Sequence, residues 1–421
     1  MNVLIYPRKL GGSVAVPPSK SQSHRAIIAA SLAKGKSVIS NVIYSEDILA
    51  TIGAMEKIGV KFIKNPNQLI VNGVSRIGIS DDNFIECNES GSTLRFLIPI
   101  LSLSRQKIVF TGKKSLFQRP LGVYESLFKN MKLQFQKNED SLIISGSLMP
   151  GNYSIPGNIS SQFISGLLFA FPLLKGDSKI TIVEPYESKK YVDMTLDMLK
   201  KSGIEVLESN LTYTIKGNQT YSPIQIKIEG DYSQMAFFAV MGLIGEDIEC
   251  KNMPFESLQP DFKIMDFIAQ TKGQFTKIDN GYQFIKSQTV SGTFDVSQSP
   301  DIAPILAILL ALSKGTSVIE NADRLKLKES NRLLSTYNTL KTLGVKVEMT
   351  EDSLIIEGQP DFEGGIFDSY NDHRIVMSIA AASVRCKKQV LIKNAEAVQK
   401  SYPDFFEDFK SLGAEITFLE E

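Results

Sequence analysis

The stretch Ser299-Pro300-Asp301-Ile302-Ala303-Pro304-Ile305-Leu306-Ala307-Ile308-Leu309-Leu310 decides the reading of the fold. A short polar start leads into a run that is apolar on nearly every helical face, and a helix of that kind has to be buried. The same pattern occurs five more times. Pro18-Ser19-Lys20-Ser21 precedes residues 26–33, Gly91-Ser92 precedes 94–103, and Ser160-Ser161-Gln162 precedes 163–174. In the second half, Asp231-Tyr232-Ser233 leads into 236–244 and Asn371-Asp372-His373 into 375–384. Positions 21, 92, 161, 233, 301 and 373 are separated by 71, 69, 72, 68 and 72 residues, so the chain is a sixfold repeat. Each start carries Ser, Asp or Asn, the residues that cap a helix.

A second set of helix starts keeps the same step. Asp47, Arg119, Lys190, Gln259, Glu329 and Lys400 lie 72, 71, 69, 70 and 71 residues apart. Strand pairs fall between the helices: residues 60–63 with 69–71, 133–135 with 142–144, and 345–347 with 354–356, each joined by Asn, Asp or Pro. The sixth unit ends at 416–419 without a second strand, and residues 3–6 are expected to supply it. The termini then share one lobe, 1–18 plus 231–421, and residues 19–230 form the other. The alternative organisation is a continuous two-domain chain split near residue 230.

Composition narrows the function. Lys plus Arg and Asp plus Glu both total 46, and this zero net charge argues against a nucleic-acid surface. The apolar run near the start is too short for a signal peptide, and the longest runs fall short of the ~20 residues that span a bilayer. A soluble cytoplasmic protein, with no membrane partner, is the expectation. Three scattered cysteines suggest no disulfide framework, and with only two histidines a His-rich metal centre is excluded. Chemistry must rest on carboxylates, Lys and Arg.

Those residues collect at the repeat starts. A helix N-terminus exposes unpaired N–H groups and carries about half a positive charge, so several aimed at one place make an anion trap. Lys20, Ser21 and Arg25, then Ser92 and Arg95, then Arg119, Lys328, Arg332, Arg374 and Lys400 all lie there. Cations at a helix N-terminus oppose its dipole, and a bound anion best explains their repeated placement. A lone Ser or Asp at such a start is more simply a cap.

These residues sit in motifs that resemble the 3-phosphoshikimate 1-carboxyvinyltransferase family along essentially the whole chain. The resembling segments are Pro18-Ser19-Lys20-Ser21-Gln22-Ser23-His24-Arg25, Glu89-Ser90-Gly91-Ser92-Thr93-Leu94-Arg95, Gln118-Arg119-Pro120, Ser299-Pro300-Asp301, Leu327-Lys328-Glu329-Ser330-Asn331-Arg332, Asn371-Asp372-His373-Arg374 and Lys400-Ser401-Tyr402-Pro403-Asp404. The resemblance implies an α/β fold of two similar lobes, each of three βαβαββ-like repeats with buried parallel helices, an inside-out α/β barrel with the active site in the interlobe cleft. It implies that Lys20, Ser21, Arg25, Ser160, Ser161, Gln162, Ser188, Asp301 and Lys328 bind shikimate 3-phosphate. Lys20, Gly91, Arg119, Gln162, Arg332, Arg374 and Lys400 would bind phosphoenolpyruvate. No cofactor and no metal are implied, and a monomer is expected. Glu89 and His24 stand where Asn is frequent, Ser92 where Thr is, Arg324 where Asn is, and Asn331 where Asp is. Glu89 would repel an anion unless paired with a neighbour such as Arg95 or turned outward.

Carboxyvinyl transfer needs a proton on the methylene carbon, a hydroxyl added to the central carbon, and phosphate expelled. Asp301 is the candidate base for the 5-hydroxyl, and Glu329 or Lys20 the candidate proton donor. Read as structure alone, Asp301 is a helix cap and Glu329 the i to i+3 partner of Arg332. Two rival functions stand beside this one. The UDP-N-acetylglucosamine enolpyruvyl transferases usually carry a Cys in the loop that here reads Thr111-Gly112-Lys113-Lys114-Ser115-Leu116-Phe117-Gln118. A non-catalytic dianion-binding protein would have no use for Asp301 and Glu329. Each lobe holds only half of the cationic set, and like charges repel when the cleft is empty, so bound anions should draw the lobes together. Scattering with shikimate 3-phosphate and an unreactive phosphoenolpyruvate analogue is expected to show a smaller radius than the free chain, and unchanged profiles would contradict this.

Overall fold

The computed structural model describes residues 1–79 and 83–419. They form six four-stranded sheets, and each sheet has one parallel pair followed by two antiparallel pairs. In the sheet built at the chain ends, Asn2–Tyr6 lies between Val390–Lys393 and Glu415–Leu419, antiparallel to both, with Val3 opposite Ile392 and Phe418. The parallel strand of that sheet is Gly365–Asp368. A sheet thus closes over residues nearly four hundred positions apart.

The contacts divide the chain into two compact units, Met1–Pro17 with Glu229–Glu421, and Pro18–Ile228. The second unit contains the sheets that include Gly35–Ser40, Ile108–Thr111 and Ser178–Val183. Its first sheet takes its parallel strand, Gln225–Lys227, from the far end of the unit. The first unit borrows in the same way, since Gly12–Ala15 pairs with Ile248–Lys251.

Each unit holds three apolar helices under its sheets. Tyr232–Ile244 is buried at every residue, and Ala303–Leu310 likewise. In the other unit Ser161–Ala170 is buried at every position except Gln162. Burying a Leu, Ile or Phe side chain stabilises by about 1.5–3 kcal/mol, which explains why propensity matters little along these runs. Their starts are capped by side chains. Ser19 accepts from Gln22 N, Ser90 from Thr93 N, Ser160 from Gln162 N, Asp231 from Ser233 N and Gln234 N, and Asp372 from Arg374 N. The fifth start differs: Pro300–Ile302 forms a 3-10 turn ahead of Ala303–Leu310, and Ser299 makes no side-chain cap. The second set of starts is less regular: Gln259 precedes a 3-10 turn at Pro260–Phe262, whereas Arg119 ends the short helix Lys114–Gln118 ahead of Gly122–Asn130, and Lys400 ends the 3-10 segment Ala395–Lys400 instead of opening a helix. Among the described residues no helix is long and apolar enough to cross a membrane.

Candidate active site

The fifth start, the one without a side-chain cap, carries Asp301 in a cage of cations. Its carboxylate lies 3.0 Å from Lys328 Nζ, 2.8 Å from Arg332 Nη1 and 3.5 Å from Arg374 Nη2. Burial alone would raise its pKa, but Lys328, Arg374 and Arg332 together hold it well below the usual carboxylate range. Lys328 is pushed down, by burial first and by Arg324 and Arg332, against the pull of Asp301. Because the folded pKa of Asp301 is depressed, its stabilisation is fully present above about pH 4 and is lost as pH falls through the folded value.

Arg332 is the hub. It is 1% exposed, donates from Nε to Asp372 Oδ2 at 2.8 Å and from Nη2 to Asp372 Oδ1 at 3.2 Å, and reaches Asp301 through Nη1 and Glu329 Oε2 through Nη2 at 2.5 Å. Four bonds to three carboxylates leave one of the five guanidinium N–H groups for anything else among the described residues. Burial opposes its charge, yet Asp372, Glu329 and Asp301 raise its pKa further. Asp372 is fully buried and serves twice, capping its helix and gripping Arg332, with Ser330 Oγ also donating to it at 3.0 Å. Arg374 donates to Ser233 Oγ at 3.1 Å, and Lys400 to the Asn371 carbonyl at 2.6 Å. Three repeat starts therefore meet around one set of charges.

The unit 18–228 has its own set. Lys20 Nζ donates to Asp47 Oδ2 at 2.8 Å. Arg25 is almost wholly spoken for: Nη1 reaches the Ser21 carbonyl at 2.7 Å, Nη2 the Tyr191 carbonyl at 2.8 Å, and Nε Thr195 Oγ1 at 2.8 Å. Burial lowers its pKa to about 10. Ser188, in the left-handed region at φ +53, precedes the Lys189–Lys201 helix that carries Tyr191 and Thr195, and its side chain makes no cap bond to that helix. Around Gly91, Arg95 Nη1 donates to Gln162 Oε1 at 2.7 Å, and Gln162 Nε2 donates to Ser92 Oγ at 2.9 Å. A Cβ on Gly91 would lie 3.0 Å from Arg119 Nη1 and 3.5 Å from Arg95 Nη1, so the two guanidinium groups close over a bare backbone.

The model of the EPSP synthase (3-phosphoshikimate 1-carboxyvinyltransferase) family matches residues 5–409. The chain belongs to the EPSP synthase family. The 3-phosphoshikimate 1-carboxyvinyltransferase of Clostridium perfringens (strain 13 / Type A) is 46% identical over 98% of each chain. That of Clostridioides difficile (strain 630) is 45% identical over 98% of this chain and 97% of its own. A solved EPSP synthase from Acinetobacter baumannii superposes with a TM-score of 0.82 at 27% identity, covering 99% of this chain and all of that one. The α/β fold of two similar lobes with three repeats each is the EPSP synthase fold.

Of the residues singled out in the sequence, Asp301, Lys328, Glu329, Arg332, Arg374 and Lys400 lie in the unit formed by 1–17 and 229–421. Lys20, Ser21, Arg25, Gly91, Arg119, Ser160, Ser161, Gln162 and Ser188 lie in the unit 18–228. Asp301 is no cap; it faces cations instead. Glu329 does make its i to i+3 pair with Arg332. Glu89, the departure from the family pattern, is 4% exposed, and its carboxylate accepts from Ser115 Oγ at 2.7 Å and lies 3.7 Å from Lys113 Nζ. In the sequence Asp47 reads only as a helix start, Arg95 only as one of the helix-start cations or a partner for Glu89, and Asp372 only as part of a motif; their actual partners lie 27, 67 and 40 residues away, and no local pattern announces such pairs. Among the described residues no three His, Cys, Asp or Glu side chains gather as a metal-binding group.

Proposed function

We propose that the chain transfers the enolpyruvyl group of phosphoenolpyruvate to the 5-hydroxyl of shikimate 3-phosphate, by addition and elimination through a tetrahedral adduct. One observation carries this reading: among six repeat starts, only the Asp301 turn carries a carboxylate released from capping and set among Lys328, Arg332 and Arg374. In the addition, Asp301 takes the 5-hydroxyl proton as its oxygen bonds to the central carbon, while Glu329 or Lys20 delivers a proton to the methylene carbon. In the elimination the carbon–phosphate oxygen bond breaks, a methyl proton returns to the group that gave it, and Asp301 surrenders its proton to the departing phosphate. Caged as it is, Asp301 is a weak base. An anion drawing Lys328 and Arg374 towards itself would weaken the cage and restore basicity, so substrate binding itself primes the base.

The reading assigns Arg25, Ser21, Ser160, Ser161, Gln162, Ser188 and Lys328 to shikimate 3-phosphate. It assigns Gly91, Arg119, Gln162, Arg332, Arg374 and Lys400 to phosphoenolpyruvate, with Lys20 touching both. Arg forks suit carboxylate and phosphate groups because they bind them bidentately. The enzyme would work as a cytoplasmic monomer on small metabolites. Phosphate release from phosphoenolpyruvate, with shikimate 3-phosphate or UDP-N-acetylglucosamine as acceptor, tests the assignment. Release with the first alone is expected. Release with the sugar nucleotide alone would overturn the acceptor, and tight binding of shikimate 3-phosphate without release would make the chain a binding protein.

Gly91 offers a separate check. Glyphosate, which in the resembling family occupies the phosphoenolpyruvate place and is slightly longer, would meet a methyl group at position 91 before the substrate does. Gly91→Ala is expected to raise the glyphosate inhibition constant by roughly tenfold or more while the KM for phosphoenolpyruvate rises less, since overpacking costs about 1–3 kcal/mol. Equal rises in a folded mutant would remove the contact from the account.

A further inference from the structure

A chain of hydroxyl groups runs through the interior of the unit 18–228, and no step of the proposed reaction uses it. His24 Nδ1 lies 2.8 Å from Thr51 Oγ1, Thr51 Oγ1 lies 2.6 Å from Thr93 Oγ1, and Thr93 Oγ1 donates to Ser90 Oγ at 2.7 Å. His24 is 1% exposed, and Thr51, Thr93 and Ser90 are fully buried. Its members come from three helices, Lys20–Leu32, Glu46–Glu56 and Gly91–Ser102, the last through its capping residue Ser90.

The spacing ties the chain to the site. His24 is one turn beyond Lys20, and Thr51 is one turn beyond Asp47, the carboxylate that Lys20 grips. At the other end, Ser90 precedes Gly91, over which Arg119 and Arg95 close. Each of the three helix starts thus offers one group to the site and one to the buried chain.

The direction of the protons is fixed by counting. A Thr hydroxyl has one hydrogen to give. Thr51 Oγ1 also lies 3.5 Å from the Asp47 carbonyl, but two hydroxyl oxygens at 2.6 Å need a hydrogen between them; Thr93 gives its own to Ser90, so Thr51 gives to Thr93, and the hydrogen between His24 and Thr51 comes from Nδ1. His24 is held neutral, by burial first and by Lys20 and Arg25 after it. That places its one ring proton on Nδ1 and leaves Nε2 bare, and Nε2 has no hydrogen-bond partner among the described residues. Packing alone would not call for a histidine here, since an apolar ring would fill the space without burying an unmatched nitrogen.

We propose that His24, acting through Thr51 and Thr93, is a positioning residue that holds the Ser90–Gly91 turn in register with the Lys20–Asp47 pair. The inference rests on the reading of Gly91 and Arg119 as phosphoenolpyruvate contacts. The relay fixes where the turn and its overlying guanidinium groups sit before the substrate arrives, so its loss loosens recognition more than chemistry. A broken relay breaks only once, and a second cut adds little.

The test uses the full chain with Thr51→Val and Thr93→Val, which keep shape and remove the hydroxyl, and with His24→Leu and His24→Asn. Each Val variant and His24→Leu is expected to raise the KM for phosphoenolpyruvate roughly fivefold, the scale of one lost buried hydrogen bond, with kcat little changed. The double Val variant should be no worse than the poorer single, and His24→Asn, which keeps a donor, should recover most of what His24→Leu loses. Long-range proton–nitrogen spectra provide a readout independent of catalysis, because the chain has only two histidines. Wild-type His24 should show a protonated Nδ1 and a bare Nε2, and Thr51→Val should change that pattern. Unchanged KM values in active Val variants, additive losses in the double variant, or a wild-type His24 protonated on Nε2 would each overturn the relay. A wild-type protein inactive with shikimate 3-phosphate would instead overturn the proposed function, and the tautomer would still decide whether the relay exists.

Discussion

Asp301→Asn is expected to lower turnover by roughly a hundredfold or more while leaving shikimate 3-phosphate binding nearly intact. The amide keeps the size of the side chain and can still accept from Lys328 or Arg332, which hold the carboxylate at 3.0 and 2.8 Å. It cannot take a proton from the 5-hydroxyl. The substitution also removes the anion that three cations share, so binding of an anionic substrate should tighten if it changes at all. Steady-state kinetics paired with calorimetric titration of shikimate 3-phosphate separates the two effects. Near-normal turnover in the amide variant would remove Asp301 from the role of base. Glu329→Gln is expected to lower turnover by a comparable factor, but it also replaces an ion pair to Arg332 Nη2, which keeps its bond to Asp372 Oδ1, by a neutral contact, so a change in phosphoenolpyruvate affinity should accompany it.

Arg332→Met should cost stability as well as activity. The guanidinium is 1% exposed and grips Asp372, itself fully buried, while also holding Asp301 and Glu329. Removing one member of a buried ion pair typically costs about 3–5 kcal/mol because the partner charge is left without compensation. For a unit of this size that corresponds to a fall in melting temperature of roughly 10 °C. Arg332→Lys keeps the charge but not the fork, and a single ammonium cannot span three carboxylates, so it should recover only part of the loss. Calorimetry of both variants checks this. Wild-type stability in Arg332→Met, with only the KM for phosphoenolpyruvate raised, would show that Arg332 serves the ligand alone.

The fold was legible because its signals are local and repeated. Apolar runs such as 302–312 and 236–244 announce buried helices by themselves, and a 70-residue step shows that six such helices are the same element. Caps are equally local, as Ser160 and Asp231 illustrate, each bonding to an N–H two residues on. The site was legible as a collection of charges and less so as an arrangement. Whether Asp301 caps its helix or faces Lys328 depends on the 3-10 turn at Pro300–Ile302, a backbone choice that the sequence leaves open. Arg332 and Asp372 stand 40 residues apart and meet only because neighbouring repeats pack side by side. Glu89 carried a clear question about its partner, and Ser115 answers it from across a loop 26 residues on.

The central claim is that the chain adds a hydroxyl and a proton across phosphoenolpyruvate and then reverses half of that addition. Running the reaction in deuterium oxide tests it most directly, because the adduct contains a methyl group that has taken one hydrogen from solvent-exchangeable side chains. With shikimate 3-phosphate as acceptor, nuclear magnetic resonance of the product should show deuterium at the vinyl carbon, since either a hydrogen or a deuterium leaves on elimination. An enolpyruvyl product free of vinyl deuterium, or no product from shikimate 3-phosphate at all, would contradict it.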